Sequence, residues 1–203
     1  MNLKVNGKNI EKDKKMLFRD FLDSLSKDLS GNSQVISAIK INGEFIDESK
    51  EGQLYMTSLE KIGDVDITTA NSLELAFEAL HSARQYIKKI IPFCKETGEY
   101  YKEGNFRDAD KKFVDIVDSL DNLTNLILAA QGVLRGKFRG IYTNDSSLRI
   151  AQVRLVSAIE ELLPAKKKND AALLADILLN ELPDALLEMC DYGIPVLQRL
   201  RSS

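Results

Sequence analysis

At 203 residues, with 44% apolar and 29% charged side chains, the chain is long enough for one large core or two small ones and polar enough to stay in water. A net charge of −3 excludes the broad positive field of a nucleic-acid or anionic-membrane binder, and no apolar run reaches the roughly 20 residues of a bilayer span. Two cysteines are too few for a disulfide framework, and the first residues lack the apolar segment of a secretory signal, so a cytoplasmic protein is expected.

The same short device occurs twice near the start. Lys4-Val5-Asn6-Gly7-Lys8 and Lys40-Ile41-Asn42-Gly43-Glu44 each set Asn-Gly between β-prone runs, the pair that accepts positive φ at both centres of a type I′ turn. Between them Leu17, Phe18, Phe21, Leu22, Leu25 and Leu29 recur at helical steps and make one apolar face. Val35, Ile36, Ala38, Ile39 and Ile41 read as a central buried strand. Gly52 to Lys61 is expected to be irregular, with Leu54, Tyr55 and Leu59 covering a sheet edge, and Asp64 to Thr69 is a last strand. Hairpin, helix, hairpin, strand is the layout of a β-grasp, or ubiquitin-like, domain, assigned to residues 1–70.

The run from Val35 to Asn42-Gly43-Glu44, followed by Leu59-Glu60-Lys61-Ile62-Gly63-Asp64-Val65-Asp66-Ile67-Thr68-Thr69-Ala70, resembles the small sulfur carriers of thiamine and molybdopterin synthesis. The resemblance implies the fold alone. Those carriers end in a free Gly-Gly carboxylate, and Thr69-Ala70-Asn71 stand in its place, so sulfur carriage is not expected.

From Asn71 the period becomes that of helices, and residues 71–203 are read as an antiparallel four- to five-helix bundle, making the whole chain α+β. Asn71 with Glu74 reads as a capping box. Leu73, Leu80, Ile87 and Cys94, with Ala76, Ala83 and Ile90, form the first stripe, kinked near Pro92 and stopped at Gly98 or Gly104. Asn105 caps a second helix in which Phe106, Phe113, Leu120 and Ile127 alternate with Ala109, Ile116, Leu123 and Ala130 over four heptads. That stripe suits a bundle core, and homo-oligomerisation through it is the other expectation. A third helix spans about Ser146 to Leu163, with Leu148, Ala151, Leu155, Ala158, Ile159 and Leu162 inward. A fourth starts at Asn169, and Pro183 either bends it or opens a fifth helix ending near Tyr192-Gly193.

Lys102-Glu103-Gly104-Asn105, Leu120-Asp121-Asn122-Leu123 and Lys168-Asn169-Asp170 before Leu173-Leu174-Ala175-Asp176 give this half a distant resemblance to flagellin export chaperones. It implies a client-binding helical surface and nothing catalytic.

No catalytic, cofactor or metal residue is assigned. His81, next to the Leu80 stripe, reads as a partly exposed structural histidine, and Cys94 and Cys190 as small core residues. Asp115, Asp118, Asp121 and Asn122 read as a solvated helix face, and Lys166-Lys167-Lys168 as cations at a helix C-terminus. Two segments are candidate binding sites. Gly132 to Gly140 reads as a basic crossing loop in which Arg135, Lys137, Phe138 and Arg139 hold an anion or an acidic partner, unless it is an ordinary connection. The tail residues Ile194, Val196, Leu197 and Leu200 dock either on the bundle or on a partner. The function expected is non-catalytic protein–protein interaction, as an adaptor or export-chaperone-like protein. The alternative is a small-ligand or anion-binding protein, perhaps an enzyme, using the basic loop and an inter-domain cleft.

Overall fold

The computed structural model describes residues 2–138 and 145–202. The chain divides into two compact units, Met1–Leu75 and Ala76–Ser203. The first is a mixed α+β unit and the second is helical. No helix among the described residues is long and apolar enough to cross a membrane.

The first unit has strands β1 (Leu3–Val5), β2 (Lys8–Asn9), β3 (Gln34–Ile41), β4 (Glu44–Phe45) and β5 (Val65–Asn71). Their order in the sheet is β2-β1-β5-β3-β4, with β1 and β5 parallel and every other pair antiparallel. Both hairpins turn on Asn-Gly with positive φ at each centre: Asn6 and Gly7 at 50° and 75°, Asn42 and Gly43 at 52° and 87°. The asparagines also tie the turns to β5. Asn6 Oδ1 accepts the Thr69 N–H at 2.8 Å, and Asn42 Oδ1 accepts the Asp64 N–H at 2.9 Å.

Helix α1 (Phe18–Ser30) buries Phe18, Phe21, Leu22 and Leu25 in a core shared with Leu3, Ile39, Val65 and Ile67. Each such side chain taken from water contributes about 1.5–3 kcal/mol. Two expectations change here. Residues 52–61 are not irregular throughout, because α2 (Glu48–Leu54) and α3 (Leu59–Ile62) occupy much of the stretch; Asp47 caps α2 by accepting the Lys50 N–H at 2.8 Å. Nor is β3 the buried central strand: β5 is central, and of β3 only Ile39 is buried while Val35 is 38% exposed. Its apolar run feeds one face and leaves the other in solvent.

The helical unit comprises α4 (Ser72–Glu103), α5 (Phe106–Lys137), α6 (Ser146–Lys167) and a fourth rod of segments, α7 (Ala171–Asp176), α8 (Leu182–Glu188) and α9 (Ile194–Arg199). Asn71 caps α4, its Oδ1 accepting the Leu73 and Glu74 N–H groups at 2.9 and 3.3 Å. Gly104, at φ +79°, ends it; Gly98 is interior and buried. Asn105 does not cap α5 through its side chain, which instead donates to Asp108 at 3.0 Å. Asp170 rather than Asn169 caps α7, accepting the Leu173 N–H at 3.0 Å, and Asn169 takes the left-handed turn before it. The expected stripes are largely the buried ones, except that Phe106 is 51% exposed.

Pro183 neither ends nor restarts the last rod. Ile177–Glu181 and Met189–Gly193 wind as π turns, in which the Leu182 N–H donates to the Ile177 carbonyl and the Ile194 N–H to the Met189 carbonyl. A proline has no N–H to donate, and its ring crowds the carbonyl four residues back. The π turns widen the rod one residue before Pro183 and Pro195, and helical backbone continues past both to a final 3₁₀ turn, Leu200–Ser202.

Candidate functional site

On α5, Val117, Leu120, Asp121, Thr124, Ile127 and Leu128 follow three- and four-residue steps and share one helix face. On α6, Gln152, Leu155, Val156, Ile159, Glu160, Leu162 and Leu163 do the same. The two faces line a groove of about 320 Å³, with Met189 of the second π turn also contributing. Leu120, Ile127, Leu155, Leu162 and Met189 are buried and make its base. The upper walls are apolar but wet: Leu128 is 55% exposed, Val156 49% and Leu163 53%. Asp121 and Glu160, both exposed, are the ionisable groups on the lining. Such a surface can desolvate an apolar side-chain row and attract cations flanking it. It offers no convergent donors for proton transfer.

A second cluster lies where α4, α5 and α6 meet. The Tyr101 hydroxyl donates to Asp110 Oδ1 at 2.8 Å, and Lys166 Nζ pairs with the same carboxylate. The Lys166 ammonium also stands 5.5 Å from the Tyr101 ring centre and 5.7 Å from that of Phe113. The hydrogen bond from Lys166, backed by that from Tyr101, holds the Asp110 carboxyl below its ordinary range. Burial, and then Asp110, push the phenol up. A 290 Å³ recess beside the cluster is lined by Phe106, Asn169 and Leu174 among others. With acid and amine already paired, the cluster acts as a tie between three helices. Lys166 is therefore more than the cation at a helix C-terminus that its sequence position suggests.

The sequence-based site residues fall elsewhere. The segment expected as a basic loop continues α5 as far as Lys137, so Arg135 and Lys137 stand on its last turn; Phe138 follows, its N–H donating to the Leu134 carbonyl at 2.8 Å. Arg139 lies outside the described residues. Gly132 and Gly136 each cost helix about 1 kcal/mol against alanine, yet buried Ala130, Gln131 and Leu134 anchor the turn between them. Of the tail, Ile194, Leu197 and Leu200 are buried and Val196 half-buried, so it docks within its own unit against α6 and the second π turn. That corrects the partner-binding alternative for these residues. His81 is exposed beside fully buried Leu80, Asp115, Asp118 and Asp121 are exposed, and both cysteines are buried free thiols. Among the described residues no group of three His, Cys, Asp or Glu side chains is placed to hold a metal ion.

Sequence reasoning missed the groove. Its signal was a second apolar row beside each core stripe: Val117, Thr124 and Leu128 on α5, and Val156, Ile159 and Leu163 on α6.

In comparisons with known proteins, the family described as a domain of unknown function, DUF8042, matches residues 78–191, more than half of the chain. The TP0873 N-terminal domain matches residues 1–71. Neither description names an activity. No curated protein and no solved structure matches.

Proposed function

We propose, for a chain that belongs to the DUF8042 family, that it works as a non-catalytic binding protein, an adaptor or export-chaperone-like module. In this reading the α5–α6 groove receives an amphipathic helix from a partner protein. The observation that carries it is the row Leu128, Val156 and Leu163, each about half exposed above a buried apolar base. Leaving such side chains wet forgoes stabilisation that a docked helix would recover at about 25 cal/mol per Å². Asp121 and Glu160 on the lining favour a helix with Lys or Arg beside its apolar row. The β-grasp assignment for residues 1–71 belongs to the same proposal. It is supported by the β2-β1-β5-β3-β4 order with α1 between the two hairpins. A cytoplasmic setting is part of it too.

The test is capture of partners by the full-length chain and by the Leu128→Asp/Val156→Asp variant. Both substituted positions are exposed, so the circular-dichroism melt should be preserved. A stoichiometric partner held by the parent chain and lost from the variant supports the groove. A partner held equally by both, or none recovered by the parent chain, refutes it.

A further inference from the structure

In the first unit, β3 is eight residues long, but β4 covers only its end, pairing Lys40 with Phe45 and Ile41 with Glu44. One more bond, from the Ile46 N–H to the Ile39 carbonyl at 3.1 Å, extends that contact. From Gln34 to Ala38 the side of β3 turned away from β5 has no strand beside it among the described residues. The direction of its main-chain groups follows from one bond and one irregularity. The Ser72 N–H donates to the Ser33 carbonyl at 2.9 Å, so Ser33 faces β5. Alternation then turns the N–H and C=O of Gln34 and Ile36 outwards. A bulge between Ile36 and Ala38 shifts the register, which is why Ile39, and not Ala38, faces β4.

Sheets usually protect such an edge with a charge, a proline or a short strand. The run Gln34-Val35-Ile36-Ser37-Ala38-Ile39 carries neither charge nor proline. Beside the edge lies a trough of about 660 Å³, a size that suits ligand sites. Leu22, Val35, Ile36 and Ile39 give it apolar surface, and Arg19, Asp23, Ser26, Glu51 and Tyr55 complete the lining. Arg19 and Asp23 neutralise each other across 3.8 Å. Glu51, which accepts the Tyr55 hydroxyl at 2.9 Å, is left as the net charge of the rim.

We propose that this edge is a second docking surface, taking an extended segment of another protein that adds to β3 as a strand. Its alternate side chains are β-branched and apolar and fill the trough, and a lysine or arginine at one end meets Glu51. The trough argues against a second copy of this chain as occupant. Strand-to-strand pairing of two β3 edges would span about 20 Å and leave the trough unfilled, well short of the roughly 800 Å² per partner of a stable dimer. The surface is distinct from the helical groove and stands whether or not that groove binds anything.

The probe is the blocked peptide acetyl-Lys-Val-Thr-Ile-Thr-Val-Lys-amide, titrated to about 1 mM into the ¹⁵N-labelled full-length chain. Two further versions are N-methylated, one at the Val and Ile amides and one at the Thr amides. The parent peptide should shift the amide signals of Gln34 to Ala38 and protect those of Gln34 and Ile36 from hydrogen exchange. One methylated version should bind and the other fail, because a strand bonds through one edge only. Glu51→Lys should weaken binding about two- to five-fold, as for an exposed ion pair. No shift at Gln34 to Ala38 by 1 mM, equal binding by both methylated peptides, or concentration-dependent dimerisation of the free chain through β3 overturns the proposal.

Discussion

Gly98 and Gly132 are both helix-interior glycines, and replacing each with alanine separates backbone propensity from packing. Alanine gains about 1 kcal/mol over glycine within a helix wherever its methyl group has room. At Gly132 an added Cβ meets nothing within 4 Å, so Gly132→Ala should raise stability by about 0.5–1 kcal/mol. At Gly98 the same atom would sit 2.7 Å from Leu179 Cγ and 3.2 Å from Leu178 Cβ. Carbon atoms in good contact stand about 3.5–4.0 Å apart, so the first overlap is roughly 1 Å. Both leucines belong to the first π turn, and Leu178 is fully buried, which restricts relief on that side. Overpacking of this kind costs about 1–3 kcal/mol. The helix gain is common to both variants and cancels in their difference. Gly98→Ala should therefore fall below Gly132→Ala by about 1–3 kcal/mol, roughly 4–12 °C in Tm for a unit of this size. The chain has no tryptophan, so helical circular dichroism during thermal or urea unfolding is the assay. Equal stabilisation by both substitutions would refute the close approach of α4 to the π turn.

Gln131 is 3% exposed and its Nε2 has no partner among the described residues, so Gln131→Leu should add about 1–2 kcal/mol; a lower urea midpoint would contradict that cost. Two carboxyls should give pH dependences of opposite sign. The Asp110 carboxyl is held low by Lys166, so its contribution is present above its unfolded value near 3.8 and lost as acid protonates it in the folded state; Asp110→Asn should weaken the chain at neutral pH and not below that range. Glu181 is raised by burial first, then by Glu161 and Asp176, so its penalty grows as pH climbs past its ordinary 4.5. Glu181→Gln should stabilise at neutral pH with the gain vanishing in acid, and a pH-independent difference would remove the electrostatic cause. Burial pushes the Cys94 thiol up to about 12, so Ellman's reagent should react with it only after denaturant is added; rapid reaction in buffer would mean that α4 opens locally.

What the sequence made legible was local chemistry. Asn-Gly turns, the α1 face, the Asn71 cap and the heptad stripes of α4 and α5 each follow from two to four neighbouring residues, and each stands in the structure. Glycine was the least reliable sign. Gly104 does stop a helix, but Gly98 is spaced for Leu178 and Leu179, and Gly193 for Met189 and Ala151. Which of these roles a glycine serves depends on chain far away in sequence. The same holds for Gly132 to Lys137, read as a loop from its glycines and cations, where the winning term is burial of Gln131 and Leu134. The groove was illegible for a related reason. An apolar residue beside a core stripe looks the same whether a neighbouring helix covers it or stands apart, and only the placement of α5 against α6 tells them apart.

The last rod has a rhythm that limits how its length can change. Leu174, Leu178, Leu182, Leu186, Cys190 and Ile194 are spaced by four and are all at most 1% exposed. In an unbroken α-helix each step of four turns the side chain about 40° further round, and five steps would carry the row about 200°, from the core into solvent. The two π turns take up that drift. A single-residue deletion within Ile177–Glu181 would restore ordinary winding and rotate everything after it by about 100°. Cys190, Ile194 and Leu197 would then leave the core together, though none of them had been altered. Substitutions along this rod are local events, whereas a change of one in its residue count is felt as far as the C-terminal turn.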